Sequence, residues 1–480
     1  MSHPPPASRI LLFGLLLFVL SVPTEIFAQK NSSDIPVVSN VIAIEGARIV
    51  QAPGRVIESG TVVFRDGVIE AVGRRVEIPY DASVIDGSDL TVYAGLIDAL
   101  TNVGIPEPKP GGTRETPSRS NPSFERAGIT PEKNARPLLD PTDGSVEAHR
   151  KLGFTTVLTV PYGRMLPGSA TVALLSGEKP ADMVVQGRQP MVFKYQGAGG
   201  VYPGTPMAIM SKFRQLYHEA GRRLSVEAMY NEDPSGMTRP PYDAVHDAFG
   251  SLIQGDKRVF AFTNDALEIH RTLSLQSELG FQLVLMGMTG GFDTVQKVAS
   301  SGAPVAITLS IPDKPEWAAE IKKDSLDQIL AAYDEDTRTA TFRDVEAERR
   351  NLEAKQLASR TKYVSMPAQY AEAGVAFAFT SYGMKSKDVT DSVREYLDSG
   401  LSQENMLAAF TTNAADLLGL SASMGSVDEG KIANLVVTSG DLFAEETEVK
   451  YVFVDGHKYE IESSKKDKKS STEDEDSRNE

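Results

Sequence analysis

The architecture of this chain can be worked out from one segment, Ala94-Gly95-Leu96-Ile97-Asp98-Ala99-Leu100-Thr101-Asn102-Val103-Gly104. An apolar run leads into this segment, and polar side chains followed by a glycine close it. The pattern predicts a buried strand over residues 92–97, with polar groups after its carboxyl end.

Further apolar strands of this kind alternate with helical stretches between residues 91 and 420, which is typical of a parallel sheet with crossover helices. The pattern predicts an α/β fold, a (β/α)8 TIM-like barrel whose remaining strand is expected between residues 204 and 256. A doubly wound open sheet is the alternative, although no glycine-rich phosphate loop follows any strand. The predicted strands are residues 92–97, 155–160, 191–195, 259–262, 283–286, 305–309 and 375–379, and the clearest helices are 206–224, 341–360 and 402–420.

Both ends of the chain have a different pattern, with short alternating strands and tight turns. Asp66-Gly67 joins two alternating runs, and Asp455-Gly456 follows another one near the C-terminus. Asp-Gly between alternating runs is a strong hairpin signal. The two ends are therefore predicted to be rich in strands and to enclose the helical middle.

Composition limits the chemistry open to the protein. The 480 residues include no cysteine, which excludes disulfides, thiolate nucleophiles and iron-sulfur clusters, so any metal would need nitrogen and oxygen ligands. The formal charge of -16 argues against a nucleic-acid partner and against binding to an anionic membrane surface.

The two termini predict export and a solvated tail. Arg9 precedes an apolar run of residues 10–22, and Ala28 is a suitable small residue before a cleavage point, so residues 1–28 are predicted to be a secretory signal. An uncleaved anchor is the alternative. Residues 463–480 are nearly all Ser, Lys, Asp and Glu and are predicted to be a disordered charged tail. We expect a periplasmic or secreted protein with no integral membrane span after signal removal.

Several segments carry a resemblance to the amidohydrolase superfamily. Residues 94–104 are similar to its P-G-L-I-D-x-H-x-H-x-G motif, and residues 153–157, Gly-Phe-Thr-Thr-Val, resemble its G-x-T-T-V motif. Residues 411–420 are similar to T-x-N-P-A-x-x-L-G-L, and residues 425–437 are similar to G-S-x-x-x-G-K-x-A-D-L-V-V. Residues 454–456 match the end of V-x-V-D-G. The order and spacing of these segments carry the resemblance over most of the chain.

On this resemblance the chain is identified as a member of the exported imidazolonepropionase-like branch of that superfamily. The resemblance implies a barrel at residues 91–420, flanked by a small composite β-sandwich built from residues 29–90 and 421–462. Members of the superfamily hydrolyse amide, cyclic amide or related bonds with a water activated by zinc or another divalent metal. The metal lies at the C-terminal mouth of the barrel and needs several imidazole or carboxylate ligands.

The positions that match the family's ligands carry other residues in this chain. Leu100 and Asn102 stand where the first strand has two histidines. Phe262 and Met286 replace the histidines of two later strands, and Ser381 replaces the general-base aspartate. No lysine at a predicted strand end is placed to supply a bridging carbamate. We therefore expect no metal or other cofactor and no assignable catalytic residue. The mouth of the barrel is expected to be concave and more apolar than in the active relatives. Its vestigial positions are Asp98, Leu100, Asn102, Phe262, Met286 and Ser381.

The remaining polar residues offer other possible sites. Asp243, His246 and Asp247 could share one helical face, while Asp265, Glu268 and His270 follow a strand end, so either group is a candidate replacement metal site. His218 is the other candidate histidine, and His149 is expected on the N-terminal side of the barrel. Ser381 with Lys385 nearby suggests Ser-Lys chemistry, against an ordinary polar loop.

Three functions remain open from the sequence. The first is a catalytically inactive binding or partner subunit for an unknown small molecule, as a homodimer or as a heterodimer with an active relative. The second is an active hydrolase of carbon-nitrogen bonds, in non-peptide or cyclic amides, that uses a non-standard site. The third is an exported structural protein on the same scaffold, because a fold alone does not determine a function.

Overall fold

A computed structural model describes residues 41–108, 118–185, 187, 189–314 and 340–461. The predicted signal segment and charged tail lie outside the described residues. The strands are β1 (Val41–Ala52), β2 (Arg55–Arg65), β3 (Val68–Gly73), β4 (Ser83–Asp86), β5 (Thr91–Ala94), β6 (Leu96–Thr101), β7 (Phe154–Thr159), β8 (Gly168–Ser169), β9 (Thr171–Leu174), β10 (Met191–Lys194), β11 (Val259–Thr263), β12 (Leu283–Gly287), β13 (Val305–Thr308), β14 (Phe377–Thr380), β15 (Leu435–Thr438), β16 (Val449–Val454) and β17 (His457–Glu460).

Helices connect most of the parallel strands. They are α1 (Phe124–Ala127), α2 (Gly144–Lys151), α3 (Pro180–Met183), α4 (Pro206–Glu232), α5 (Ala244–Ile253), α6 (Ala266–Leu279), α7 (Val295–Ser301), α8 (Ala340–Glu372), α9 (Ser386–Asp398), α10 (Gln403–Phe410) and α11 (Thr412–Leu418), with short 3-10 turns at Arg136–Leu138 and Gly291–Thr294. Within the described residues, no helix is both long enough and apolar enough to cross a bilayer.

One sheet draws its strands from both ends of the chain. Its order is β17-β16-β15-β5-β1-β2-β3, and β4 pairs with β1. The two turns that were predicted from Asp-Gly pairs are confirmed, because β2 and β3 flank Asp66-Gly67 and β16 and β17 flank Asp455-Gly456. Both residues of each turn have positive φ, at 48° and 81° in the first turn and 51° and 75° in the second. This is the backbone of a type I′ hairpin, which glycine tolerates without strain.

Parallel strands form the centre of the fold. Strands β10 to β14 are parallel neighbours in a sheet of order β14-β13-β12-β11-β10-β8, and β6 pairs in parallel with β7 in a smaller sheet. Their residues are almost all buried on both faces, as expected of strands covered by crossover helices. The fold is therefore a mixed α/β fold.

Two connections join the larger and smaller parallel sheets. Strand β8 runs antiparallel to β10, and β9 runs antiparallel to β7, although a single residue, Ala170, separates β8 from β9 in the chain. At the opposite edge, the hydroxyl of Thr380 in β14 donates to the carbonyl oxygen of Leu100 in β6 at 2.5 Å. Residues 168–174 therefore connect the two sheets at one edge, and β14 lies beside β6 at the opposite edge.

Alternate residues of the parallel strands belong to two apolar clusters. Phe193, Ala261, Leu285 and Ile307 pack in the cluster that includes the helices. The residues next to them, Val192, Phe260, Val284 and Ala306, pack in a second, inner cluster. This alternation follows from the two-residue period of a strand, and it places the side chains of residues 194 and 262 on the inner face.

Three predictions about elements need correction. The predicted strand 92–97 is split at Gly95, so that Thr91–Ala94 joins the sheet of the chain ends and Leu96–Thr101 pairs with β7. The predicted strand between residues 204 and 256 is wrong, because that span holds α4 and α5 and no strand. The predicted helix 402–420 is interrupted at Thr411, whose φ of -127° and ψ of -89° are not helical, and becomes α10 and α11.

Candidate functional site

A cavity of about 470 Å³ lies where strands β10 to β14 end. Parallel strands place the residues after their carboxyl ends at one edge, which is where ligand sites of α/β proteins usually form. Gln196, Asn264 and Ser310 are exposed, so the cavity communicates with solvent. Its lining consists of Lys194, Tyr195, Gln196, Phe262, Asn264, Gly287, Thr289, Thr308, Ser310 and Tyr382.

Lys194 is the ionisable cation of this lining. It is the last residue of β10, and only 6% of its surface is exposed. Its ammonium group donates to the hydroxyl of Tyr382 and, at 3.4 Å, to the carbonyl oxygen of Gly163. Burial, together with the positive charge of Arg164, lowers the pKa of Lys194 to about 8.

Two tyrosines and a phenylalanine form the aromatic part of the cavity. The rings of Phe262 and Tyr382 are 4.6 Å apart, and the ammonium nitrogen of Lys194 lies 4.4 Å from the centre of the Tyr382 ring. Burial raises the pKa of Tyr382 and of Tyr195 to about 12. Both phenols are therefore protonated at neutral pH and can donate a hydrogen bond to a ligand or to a neighbour.

The lining is more polar than the expected apolar mouth. Amides, hydroxyls and one amine outnumber the apolar side chains in it, and none of its members is a carboxylate. Of the positions matched to the family's ligands only Phe262 is in the lining, and residues before and beyond those positions supply the rest. The lining therefore contains a lysine and no acidic residue.

The vestigial positions named from the sequence separate into four places. Phe262 lines the cavity. Asn102 is not among the lining residues, and its side chain donates to the carbonyl oxygen of Val160 at 2.6 Å. Leu100 and Met286 are fully buried in the inner apolar cluster beneath. Asp98 and Ser381 lie in a separate buried polar cluster.

That cluster joins Asp98, His149, Ser381 and Ser386. Nε2 of His149 lies 3.1 Å from Oγ of Ser381 and 3.7 Å from Oδ2 of Asp98, while its Nδ1 lies 2.9 Å from Oγ of Ser386. The carboxylate also accepts the backbone N–H of Ser381 at 3.2 Å. His149 was expected on the N-terminal side of the barrel. It instead reaches the residue that follows the carboxyl end of β14.

This arrangement differs from a Ser-His-Asp catalytic triad. In a triad the serine and the carboxylate contact opposite nitrogens of the imidazole, whereas Ser381 and Asp98 both face Nε2. Ser386 lies on the opposite nitrogen, but the carboxylate of Asp98 is 3.7 Å from Nε2, beyond hydrogen-bond distance. The side chains of His149 and Asp98 are 3% and 1% exposed, and Ser381 is equally buried, so a substrate has no access to them. The cluster links β6, α2, β14 and α9. The Oγ of Ser381 also contacts Oγ1 of Thr101 at 3.4 Å, inside the fold, which leaves no support for Ser-Lys chemistry with Lys385.

The candidate replacement metal sites do not assemble. In the part of the chain that the structure describes, no group of three or more His, Asp or Glu side chains is arranged to hold a metal ion. His246 lies between Asp243 at 3.0 Å and Glu219 at 3.2 Å, a pairing that ties α5 to α4. Asp265 and Glu268 cap α6, since the Asp265 carboxylate accepts the backbone N–H of Glu268 at 2.7 Å. The strand ends of the cavity offer no imidazole or carboxylate, so its donor set does not fit a divalent metal.

Sequence reasoning missed Lys194 and Tyr382. No lysine at a predicted strand end was expected to supply a bridging carbamate, whereas Lys194 is the last residue of β10. Its position as the single charged residue in the apolar stretch 191–195 was a usable signal. Its contact with Tyr382, 188 residues later in the chain, could not be foreseen from spacing alone.

Sequence comparisons find similarity to the amidohydrolase family and to dihydroorotases. The model of the amidohydrolase family matches residues 320–458. A dihydroorotase of Anaeromyxobacter dehalogenans strain 2CP-C is 32% identical over 102 residues, which cover 21% of this chain and 24% of that protein. The chain thus spans about a quarter of the length of the curated relatives it matches.

Solved structures show the same fold over a longer span. An amidohydrolase from Thermotoga maritima MSB8 superposes with a TM-score of 0.69 and 19% identity, covering 87% of this chain and 100% of that chain. A prolidase complexed with N-methylphosphonate-L-proline superposes with a TM-score of 0.50 and 17% identity, covering 88% of this chain and 100% of that chain. At these identities the likeness concerns the fold alone.

Proposed function

We propose that this chain is an exported protein of the amidohydrolase superfamily that binds a small molecule at the strand-end cavity without a metal ion. In this proposal it is a binding or partner subunit of the imidazolonepropionase-like branch, and it has lost metal-dependent hydrolysis. Strands β6 to β14 form one closed barrel, with residues 168–174 as its antiparallel member. The sheet of both chain ends belongs to the composite β-sandwich.

The observation that carries the proposal is the chemistry of the cavity lining. Hydrolysis by a metal-activated water needs several imidazole or carboxylate ligands directed at one point. The strand ends here present Lys194, Phe262, Thr308 and Tyr382. A cation that faces a solvent-connected cavity with hydroxyl and amide groups around it suits ligand binding.

Export and assembly are further parts of the proposal. Removal of residues 1–28 would deliver the chain to the periplasm or the medium, and the mass of the protein recovered from that compartment tests this part. A homodimer, or a heterodimer with an active relative, is the proposed assembly.

A second candidate function rests on Lys194. An amine whose pKa is lowered to about 8 can act as a base at neutral to mildly alkaline pH, and the hydroxyl of Tyr382 is in contact with it. The alternative is therefore a hydrolase of carbon-nitrogen bonds, in cyclic or non-peptide amides, that uses this pair in place of a metal.

A hydrolysis screen separates the two candidates from each other and from a metal enzyme. The purified chain is assayed on cyclic amides and N-acyl compounds, with zinc, with manganese and with a chelator. We expect no turnover above the buffer rate under any condition. Chelator-resistant turnover that disappears in Lys194→Met would establish the second candidate, whereas turnover that requires added metal would refute the proposal.

A further inference from the structure

We propose that Lys194 holds the ligand of this cavity as a reversible imine, so that the ligand class is an aldehyde or a ketone. The inference rests on the proposed function, because it names the chemistry by which the same cavity binds its ligand. Lys194 is 94% buried, it is one of the lining residues of the cavity, and its nitrogen contacts the hydroxyl of Tyr382, another residue of that lining. No carboxylate of the lining holds this amine as a permanent ammonium ion.

The amine is available as a nucleophile because its surroundings disfavour its charge. Burial and the charge of Arg164 both act against the ammonium form of Lys194. At any pH below both values, a pKa of about 8 instead of 10.5 makes the neutral amine about 300-fold more abundant than in an ordinary lysine. Imine formation requires this neutral form.

Tyr382 is placed to supply the proton that the reaction needs. The lone pair of Nζ adds to the carbonyl carbon, the π electrons of the C=O bond move to oxygen, and the phenol protonates that oxygen. Tyr382 recovers its proton from the nitrogen, which gives a neutral carbinolamine. The carbinolamine loses its hydroxyl group and one proton as water, and a C=N bond replaces the C=O bond. No oxidant, reductant or metal is consumed.

The walls of the cavity indicate the shape of the carbonyl compound. Phe262 and Tyr382 present aromatic surfaces beside the amine, and their rings are 4.6 Å apart. Thr308 and Ser310 contribute hydroxyls, and Asn264 contributes an amide, to the same lining. A planar carbonyl compound with a polar substituent is compatible with both surfaces, which makes 4-hydroxybenzaldehyde a suitable probe.

Reductive trapping tests the inference. The full chain is incubated with 4-hydroxybenzaldehyde and sodium cyanoborohydride, and peptide mass spectrometry locates the reduced adduct. We expect one adduct per chain, on Lys194, formed with a pH midpoint at about 8. Lys194→Met is expected to lose this adduct while its circular dichroism spectrum stays unchanged.

Two variants test whether trapping depends on the position of Lys194 in the cavity and on the hydroxyl of Tyr382. Lys257 is also partly buried and its pKa is also lowered by burial, but its amine contacts Ser169 and does not line the cavity. Lys257→Met should therefore leave the adduct on Lys194 unchanged. Tyr382→Phe keeps the ring against Phe262 and removes the proton donor, so that trapping on Lys194 should slow by about tenfold or more.

Three outcomes would overturn the inference. One is labelling spread over surface lysines with no preference for Lys194, and the second is labelling of Lys257 as fast as that of Lys194. The third is protection of Lys194 from an acylating reagent by 4-hydroxybenzoate without any trapping of the aldehyde. In that last case the cavity binds an anion without a covalent bond, so the imine is refuted while metal-free binding stands. Stoichiometric metal in the same protein would instead refute the proposed function.

Discussion

Replacing Asp98 with alanine is expected to lower the free energy of unfolding by about 4 kcal/mol. The carboxylate accepts the backbone N–H of Ser381 at 3.2 Å and that of Leu100 at 3.2 Å, and it lies 3.7 Å from Nε2 of His149. All of these groups are buried, so water cannot replace the lost acceptor. Urea denaturation, followed by circular dichroism, measures the change.

A matched control at an exposed aspartate separates the effect of burial on the free energy of unfolding from the effect of losing a hydrogen bond. Asp86 is exposed, and its carboxylate accepts the backbone N–H of Ser88 at 3.0 Å. Asp86→Ala is expected to cost less than about 1 kcal/mol, because water can satisfy the exposed donor. Equal costs for Asp98→Ala and Asp86→Ala would show that the buried cluster does not link the strands and helices as described.

Lys194→Met is expected to stabilise the folded protein near neutral pH while it removes the cationic group of the cavity. The folded-state pKa of about 8 lies below the unfolded value of 10.5, so the unfolded chain binds more protons between these values. Stability contributed by this residue is therefore lowest below about pH 8 and rises as pH increases toward about 10.5. The free energy of unfolding of the methionine variant should exceed that of wild type by about 2 to 3 kcal/mol near pH 7, and the difference should shrink near pH 10.

The comparison is made between wild type and variant at each pH, because the buried tyrosines also titrate at high pH. Lys387→Met, at an exposed lysine, serves as the control and is expected to change stability by less than about 0.5 kcal/mol at both pH values. A methionine variant less stable than wild type near pH 7, or a difference that does not vary with pH, would contradict the description of Lys194 as a buried amine that disfavours its charge.

The regular elements could be predicted because local rules determine them. Short apolar runs predicted the parallel strands after β6 within one or two residues, and the Asp-Gly pairs predicted both hairpins. The predicted strand 92–97 is an exception, because it divides at Gly95 between β5 and β6. The bridge at residues 168–174 is another. This bridge follows β7 without an intervening helix and runs antiparallel to its neighbours. The alternation of strands and helices therefore did not indicate it, and the remaining strand was predicted among the residues of α4 and α5 instead.

The site could be predicted only in part, because its contacts join distant parts of the chain. Phe262 was expected at the mouth from the resemblance to the amidohydrolase superfamily, and it lines the cavity. The pairing of Lys194 with Tyr382, and that of His149 with Ser381, depend on how the strand ends meet in three dimensions. A one-residue difference in strand register reverses the face to which a side chain points, so spacing along the chain does not identify such partners.

The central claim is that the strand-end cavity works without a metal ion. The most direct measurement is elemental analysis of the full protein, expressed with zinc and manganese supplied and then desalted. Metal far below one ion per chain is the predicted result, together with a cavity that still protects Lys194 from chemical modification when ligand is present. One or two ions bound per chain would contradict the account and would require that the metal ligands be sought anew, beginning with His246 and His270.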